Sequence, residues 1–403
     1  MRTERRRVLP EAMLVEIIAR LPLRSIARFK SVCKTWKSLI ESPYFRRLFI
    51  SLHQNSSASW SLMFRIHPIT EAIGFHGCET WDLPKSLASY ILPFQRYLNL
   101  PDSHDCYYVA ASNGLVLIEI FVPRTDNMPY TRKSFVGNPV LQEWFEIPPP
   151  PEPCEATGLV TRVEDDGVVS SFKVVRTCQS RDREVNVWRV CVYSSVTGKW
   201  TFKRLVSSHH HHVSLKFAVS LPCMNLNGMI YVWVRDLDPT QPGVLVSHDF
   251  YGPEADYQCP DIISLPVPVL NNKFVRRCLT TSGGHVFLVQ VLGQTLKLWK
   301  LDNNSGSSEW WQLSGEEINL ECVDCCPMAM NPFDSDIVYL WSRQHGCLVS
   351  VNLRTKESEI CGSVEGCCVV NTHSSKEYME GGRDITSLTM LSQFVLPKWM
   401  DKI

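Results

Sequence analysis

At 403 residues, 44% hydrophobic and 20% charged, the chain is long enough for more than one folding unit and has the composition of a protein with a sizeable core. Its sixteen cysteines fall well below disulfide-scaffold density, and no window approaches the roughly 18 apolar residues of a membrane-spanning helix. Formal charges balance at 41 of each sign, yet residues 1–50 hold twelve Lys/Arg against four Asp/Glu, so a head with eight surplus positive charges precedes a body with eight surplus negative ones.

No apolar stretch of export-signal type follows the basic start MRTERRRVLPEAML, so the cysteines are expected as thiols in the cytoplasm or nucleus. The basic head suits an acidic partner, protein or nucleic acid, and a solvated charged face accounts for the charge equally well.

In chain order, Leu14, Ile17, Ile18 and Leu21 fall at helical spacing and predict a first helix, with Pro10 tolerated in its opening turn and Leu21-Pro22 ending it. Ser25 is the expected cap of a short second helix carrying Ile26 and Phe29. Val32, Trp36, Leu39 and Ile40 make a third stripe, which Pro43 is expected to end. Ser51–Ser59 reads as a linker. Three helices of this size bury little surface alone, so their apolar faces need a partner.

From residue 60 the texture changes to short runs of branched and aromatic residues separated by Gly, Pro, Asn and Asp, the pattern of strands and turns. Six similar strands, anchored at Leu62, Leu115, Phe172, Met229, Val286 and Val338, recur at spacings of 53, 57, 57, 57 and 52 residues. Each is expected to open a unit. Trp81, Trp144, Trp200 and Trp311 mark an equivalent later place, with Tyr257 substituting in the fourth unit. Six antiparallel units of this size predict an all-β propeller of six blades, with seven as the alternative. Leu388–Pro397 is expected to return as a strand and close the ring.

Taken together, Leu9-Pro10, Leu14, Ile17, Leu21-Pro22, Ile26, Phe29, Val32-Cys33-Lys34, Trp36, Leu39-Ile40, Pro43 and Phe45 resemble an F-box, matching its pattern over about forty residues. The body resembles the F-box-associated and kelch-like propellers of plant F-box proteins: VGNPVLQEWFEIP, SFKVVR and VYSSVTGKW are similar to their strand-pair motifs, and Gly283-Gly284 supplies a kelch-type double glycine. The organisation implied is an F-box over 1–50, a linker over 51–59 and a propeller over 60–403.

The resemblance implies a non-catalytic substrate receptor of an SCF-type (Skp-cullin-F-box) ubiquitin ligase. The F-box would bind an acidic Skp-type adaptor and, through it, cullin and RING subunits, while the propeller holds a target protein. Leu9, Pro10, Ile17, Leu21, Pro22, Ile26, Val32, Trp36 and Ile40 are the expected adaptor contacts or the core behind them. Target contacts are expected in the longer segments around Asp126, Arg181, His209 and Asn303. The alternative is an adaptor-binding scaffold acting outside a ligase; a propeller enzyme and a nucleic-acid binder are weaker readings.

Other features are given plainer readings. Cys322, Cys325 and Cys326, with Cys367-Cys368, invite zinc, but vicinal cysteines ill suit one tetrahedral ion and read as buried strand residues. His209–His212 reads as an exposed loop and Pro148–Pro153 as a stiff connection. No cofactor, metal, membrane or catalytic group is expected.

Overall fold

The computed structural model of the chain describes residues 9–21, 23–52, 60–64, 70–76, 106–123, 130–139, 143–164, 168–178, 187–206, 223–234, 243–252, 260–266, 275–302, 310–320, 324–363 and 388–395. Helices come first: α1 (Glu11–Ile18), α2 (Leu23–Phe29), α3 (Lys34–Ile40) and α4 (Pro43–Leu52). The three expected helices are joined by a fourth that the sequence reading missed. Pro43 opens α4 instead of merely ending α3, because a first-turn proline forfeits no intrahelical bond. Ser42 caps it, its Oγ accepting the Phe45 amide at 3.2 Å. Two other local expectations also shift. Ser25 lies inside α2, and α3 is capped by Cys33, whose Sγ accepts the Trp36 amide at 3.4 Å. α4 runs through Leu52, two residues into the segment expected as linker.

The strands follow. β1 (Trp60–Phe64) and β2 (Thr70–His76) begin the first sheet. The second holds β3 (Cys106–Ser112), β4 (Leu115–Pro123), β5 (Tyr130–Asn138) and β6 (Glu143–Ile147); the third, β7 (Cys154–Val163), β8 (Val169–Cys178), β9 (Val187–Ser194) and β10 (Lys199–Val206). The fourth holds β11 (Cys223–Leu226), β12 (Met229–Val234), β13 (Val244–Asp249) and β14 (Asp261–Ser264). The fifth is β15 (Val275–Ser282), β16 (His285–Leu292), β17 (Thr295–Leu301), β18 (Trp311–Leu313) and β19 (Ile318–Asn319). The sixth is β20 (Cys325–Met330), β21 (Ile337–Ser342), β22 (Cys347–Asn352) and β23 (Ser358–Ser363). Finally, β24 (Leu388–Thr389) pairs parallel with β15, and β25 (Ser392–Val395) pairs antiparallel with β1.

Six sheets therefore stand among the described residues, and each of the six anchor residues falls in a different one. The anchors mark the second strand of each sheet, not the first as expected. The first strands lie side by side, β25 expected from the returning chain end and the other five missed: β25 touches β3, β3 touches β7, β7 touches β11, β11 touches β15 and β15 touches β20. Apolar clusters fill each junction between neighbouring sheets. Leu117, Val136, Leu159 and Val174 join the second sheet to the third, for example, and Trp60, Leu62, Met328 and Tyr339 join the sixth to the first. The arrangement is propeller-like and closed on itself.

Local chemistry explains the strand order. Asn113-Gly114, Asn227-Gly228 and Gly283-Gly284 all have positive φ and make two-residue hairpins between first and second strands, a turn that asparagine and glycine adopt at low cost. A Cβ on Gly137 would collide with the Trp144 ring opposite it, which accounts for the glycine in VGNPVLQEW. Trp200 and Trp311, both on fourth strands, donate their indole N–H at 2.9 Å to Pro148 and Ser264, at the outer edge of the preceding sheet. In these two sheets the tryptophan marker is an inter-sheet clasp. Trp81 and Tyr257 lie outside the described residues. Between the second and third sheets, the buried Arg176 guanidinium donates at 2.7 Å to the Glu119 carboxylate.

The return of the chain end was expected and is present. Gln393 on β25 bonds across the ring: its Nε2 donates to Thr280 Oγ1 at 3.2 Å, the Thr281 carbonyl at 3.1 Å and the Met330 carbonyl at 2.7 Å. Replacing it (Gln393→Ala) should cost about 2–3 kcal/mol, read as a lower midpoint of urea unfolding, because several partly buried partners lose their bonds together. Trp200→Phe and Trp311→Phe should each cost about 1 kcal/mol by the same assay, the worth of one hydrogen bond with most of the ring packing kept. Unequal losses would contradict their structural equivalence.

Candidate functional site

Two faces of the helical unit have opposite fates. Val15, Ile18 and Ala19 of α1, Ile26, Leu39, Ile40, and Phe45 and Phe49 of α4 are buried. They run into one continuous cluster with Tyr108, Ile118, Phe135 and Phe394 of the sheets. The helices are therefore docked on the ring by a shared core at the junction of the first and second sheets.

Outside that core the helical unit leaves several large apolar side chains uncovered. Leu9, Met13, Ile17, Val32, Tyr44 and Leu52 account for six of the fourteen large hydrophobic side chains exposed among the described residues. Met13 and Ile17, 53% and 50% exposed, are four apart on α1 and so share a face. The first stripe predicted from sequence is consequently split. Ile18 turns inward with Val15, Leu14 and Leu21 pack partly against the core, and Ile17 turns out. Val32 precedes α3 instead of belonging to its stripe, and is 61% exposed. Arg28, Lys34, Lys37 and Arg47 are exposed on the same small unit, while Arg20 is paired with Glu16 one turn away.

The nine residues expected to serve the adaptor thus separate by position. Leu9, Pro10, Ile17 and Val32 are exposed; Leu21 and Trp36 are half-buried, with Trp36 edge-on to Phe29 at 5.1 Å; Ile26 and Ile40 are core. Pro22 lies outside the described residues, as do Asp126, Arg181, His209 and Asn303 of the expected target segments. Of those segments, Tyr130 begins β5, and Asp302 accepts a bond from Gln312 Nε2 at 2.8 Å.

Cys325 and Cys326 lie buried on β20; Cys322, Cys367 and Cys368 lie outside the described residues. Cys325 is disulfide-bonded, so the expectation of thiols throughout does not hold there. A different cysteine group was missed. Cys154, Cys178 and Cys191, from β7, β8 and β9, bring their sulfurs together in the third sheet. The hydrogen bond with Cys154, followed by burial, raises the Cys178 thiol far above its ordinary range. Burial and the bond to Cys178 push Cys191 up to about 12. Their separation by 24 and 13 residues carries no sequence signal; only strand register unites them.

Comparison with known proteins agrees with this architecture. Residues 8–48 match the F-box domain, and residues 58–403 match the family described as "F-box protein At3g26010-like, beta-propeller". The chain is 54% identical to the Arabidopsis thaliana F-box protein At1g49990, covering 100% of this chain and 99% of that protein. It is 41% identical to the A. thaliana F-box protein At3g26010, over 98% of this chain and 90% of that one. It is 40% identical to the putative F-box/kelch-repeat protein At4g22430 of the same plant, over 98% and 92%. With an F-box docked on a closed ring of sheets and full-length similarity of this degree, the chain belongs to the At3g26010-like family of F-box β-propeller proteins.

Proposed function

We propose that this protein is the substrate-receiving subunit of an SCF-type ubiquitin ligase. The observation that carries the reading is the exposure of the apolar Leu9, Met13, Ile17 and Val32 on the F-box, a unit that also exposes the bases Arg28, Lys34, Lys37 and Arg47. An apolar surface rimmed by charge marks a protein-binding site. Basic side chains complement the acidic Skp-type adaptor that the family resemblance implies. Leu9, Pro10, Ile17 and Val32 make the contact; Leu21 and Trp36 support its edge; Ile26 and Ile40 hold the helices behind it. Met13 and Tyr44 join the contact because of their exposure.

Through the adaptor the chain reaches cullin and RING subunits, in the cytoplasm or nucleus, and its ring holds a target. The work done is positional. A target tethered near a charged conjugating enzyme presents its lysines at raised effective concentration, so the chain needs no bond-making group of its own. Connections between second and third strands are candidates for target contact, since those around Asp126 and Arg181 are longer than the Gly293-Gln294 turn at the same place in the fifth sheet.

The test is adaptor affinity. Ile17→Asp with Val32→Asp should weaken binding of a plant Skp-type adaptor about 30-fold or more, as charge in the centre of an interface does. Val196→Asp, 76% exposed in the third sheet, should leave it unchanged. Melting temperatures confirm that each variant stays folded. Unchanged affinity in a folded double variant would remove this face as the adaptor site. Ubiquitin transfer to a co-purified target in the reconstituted assembly then separates a ligase receptor from a scaffold.

A further inference from the structure

Within the third sheet, Cys154 lies directly opposite Cys178, and Cys191 lies opposite Arg176, two places along on the same face. All three are buried, and their sulfurs lie within 4.8 Å of one another. The Cys178 and Cys191 sulfurs are 3.3 Å apart. Three thiolates bound to one ion at metal–sulfur distances of about 2.3 Å stand about 3.8–4.0 Å from each other, inside the observed range. Among the described residues this is the one convergence of three metal-ligating side chains.

We propose that Cys154, Cys178 and Cys191 bind a soft d10 cation, zinc or cuprous copper. Thiolate ligands select such ions over hard ones. Binding replaces three S–H protons, which leave to solvent, and no electron is transferred. The same geometry could have served a thiol–disulfide switch. A disulfide would join only two of the three sulfurs, however, whereas all three converge. Copper is satisfied by three thiolates. Zinc takes a fourth ligand, and Glu152 is at hand: its carbonyl accepts the Cys154 thiol at 2.9 Å, and its negative charge acts on both other cysteines. The Glu152 carboxylate is half-exposed and paired with Arg189 at 3.6 Å, so it would have to leave that ion pair to serve as a ligand. The site is distinct from the CVDCC cysteines and reverses the expectation of a metal-free chain.

The experiment uses the full chain, purified under reducing conditions without chelator. Its metal content is measured, and the apo-protein is titrated with zinc, with cobalt as the spectroscopic stand-in, and anaerobically with cuprous copper. One ion per chain and a sulfur-to-cobalt charge-transfer band are expected, together with a higher melting temperature in the metal's presence. Cys178→Ser should abolish all three, whereas Cys278→Ser, a buried cysteine on β15, should not. If Cys178→Ser fails to fold, Cys154→Ser at the edge of the cluster replaces it, and the wild-type cobalt band needs no variant. Competition between the two ions identifies the natural one, and a tenfold loss of zinc affinity in Glu152→Gln would identify the fourth ligand. No stoichiometric binding of any of the three ions, with the thiols intact by titration after denaturation, would overturn the proposal. Recovery of the thiols as a disulfide, or metal binding that survives Cys178→Ser, would do the same.

Discussion

The structure hangs on the return of β25 to β1. A row of sheets that did not close would leave apolar faces at both ends and an unpaired first strand in the first sheet. The few residues of the returning segment prevent this by reaching three junctions. Met390 enters the cluster between the fourth and fifth sheets, Leu391 that between the sixth and first, and Phe394 that between the first and second. Gln393 adds polar specificity, tying β25 to β15 and β20 at once. Burial of one large apolar side chain contributes about 1.5–3 kcal/mol, so these residues hold the ring more firmly than their number suggests.

Closure also positions the F-box. Phe394 belongs to the same cluster as Ile18, Ile40, Phe45 and Phe49, so the helices dock where the ring begins and ends. A unit of this size would be marginal alone, and the ring supplies the missing half of its core. The orientation of the proposed adaptor-binding face relative to the ring then follows from packed side chains, with no dependence on linker stiffness. For a protein whose proposed work is to present a target at a set distance, such docking has direct consequence.

Much of this was legible in the residues. The repeat anchors, the Asn-Gly and Gly-Gly hairpins, the tryptophans of the fourth strands and the returning end all carry strong local signals, and each has a physical cause. The first strands of the second and sixth sheets carry a weak strand signal in the sequence. Ala110 and Ala111 on β3 and CCPMAM on β20 lack the branched texture of a strand. On α1 an apolar stripe was visible, but periodicity could not tell that Val15 and Ile18 face a core while Met13 and Ile17 face outward, since both faces are apolar. Pro43 is ambiguous in sequence, serving equally to end one helix or start the next. The cysteine cluster depends on the register of three strands, which no local pattern encodes. Of the four segments expected to meet the target, those around Arg181 and His209 lie outside the described residues, and those around Asp126 and Asn303 are described only at one end, Tyr130 and Asp302.

The central claim is that one face of the F-box is committed to the ring and the other to a partner. Hydrogen–deuterium exchange on the full chain, with and without a plant Skp-type adaptor, tests it most directly. The account predicts that adaptor slows exchange in α1 and in the segment from Lys30 to Lys37. Exchange in α4 and in β3–β5 should already be slow without adaptor and change little, because those elements are held by the shared core. Protection confined to the strands, or fast exchange throughout α4 in the free protein, would contradict it.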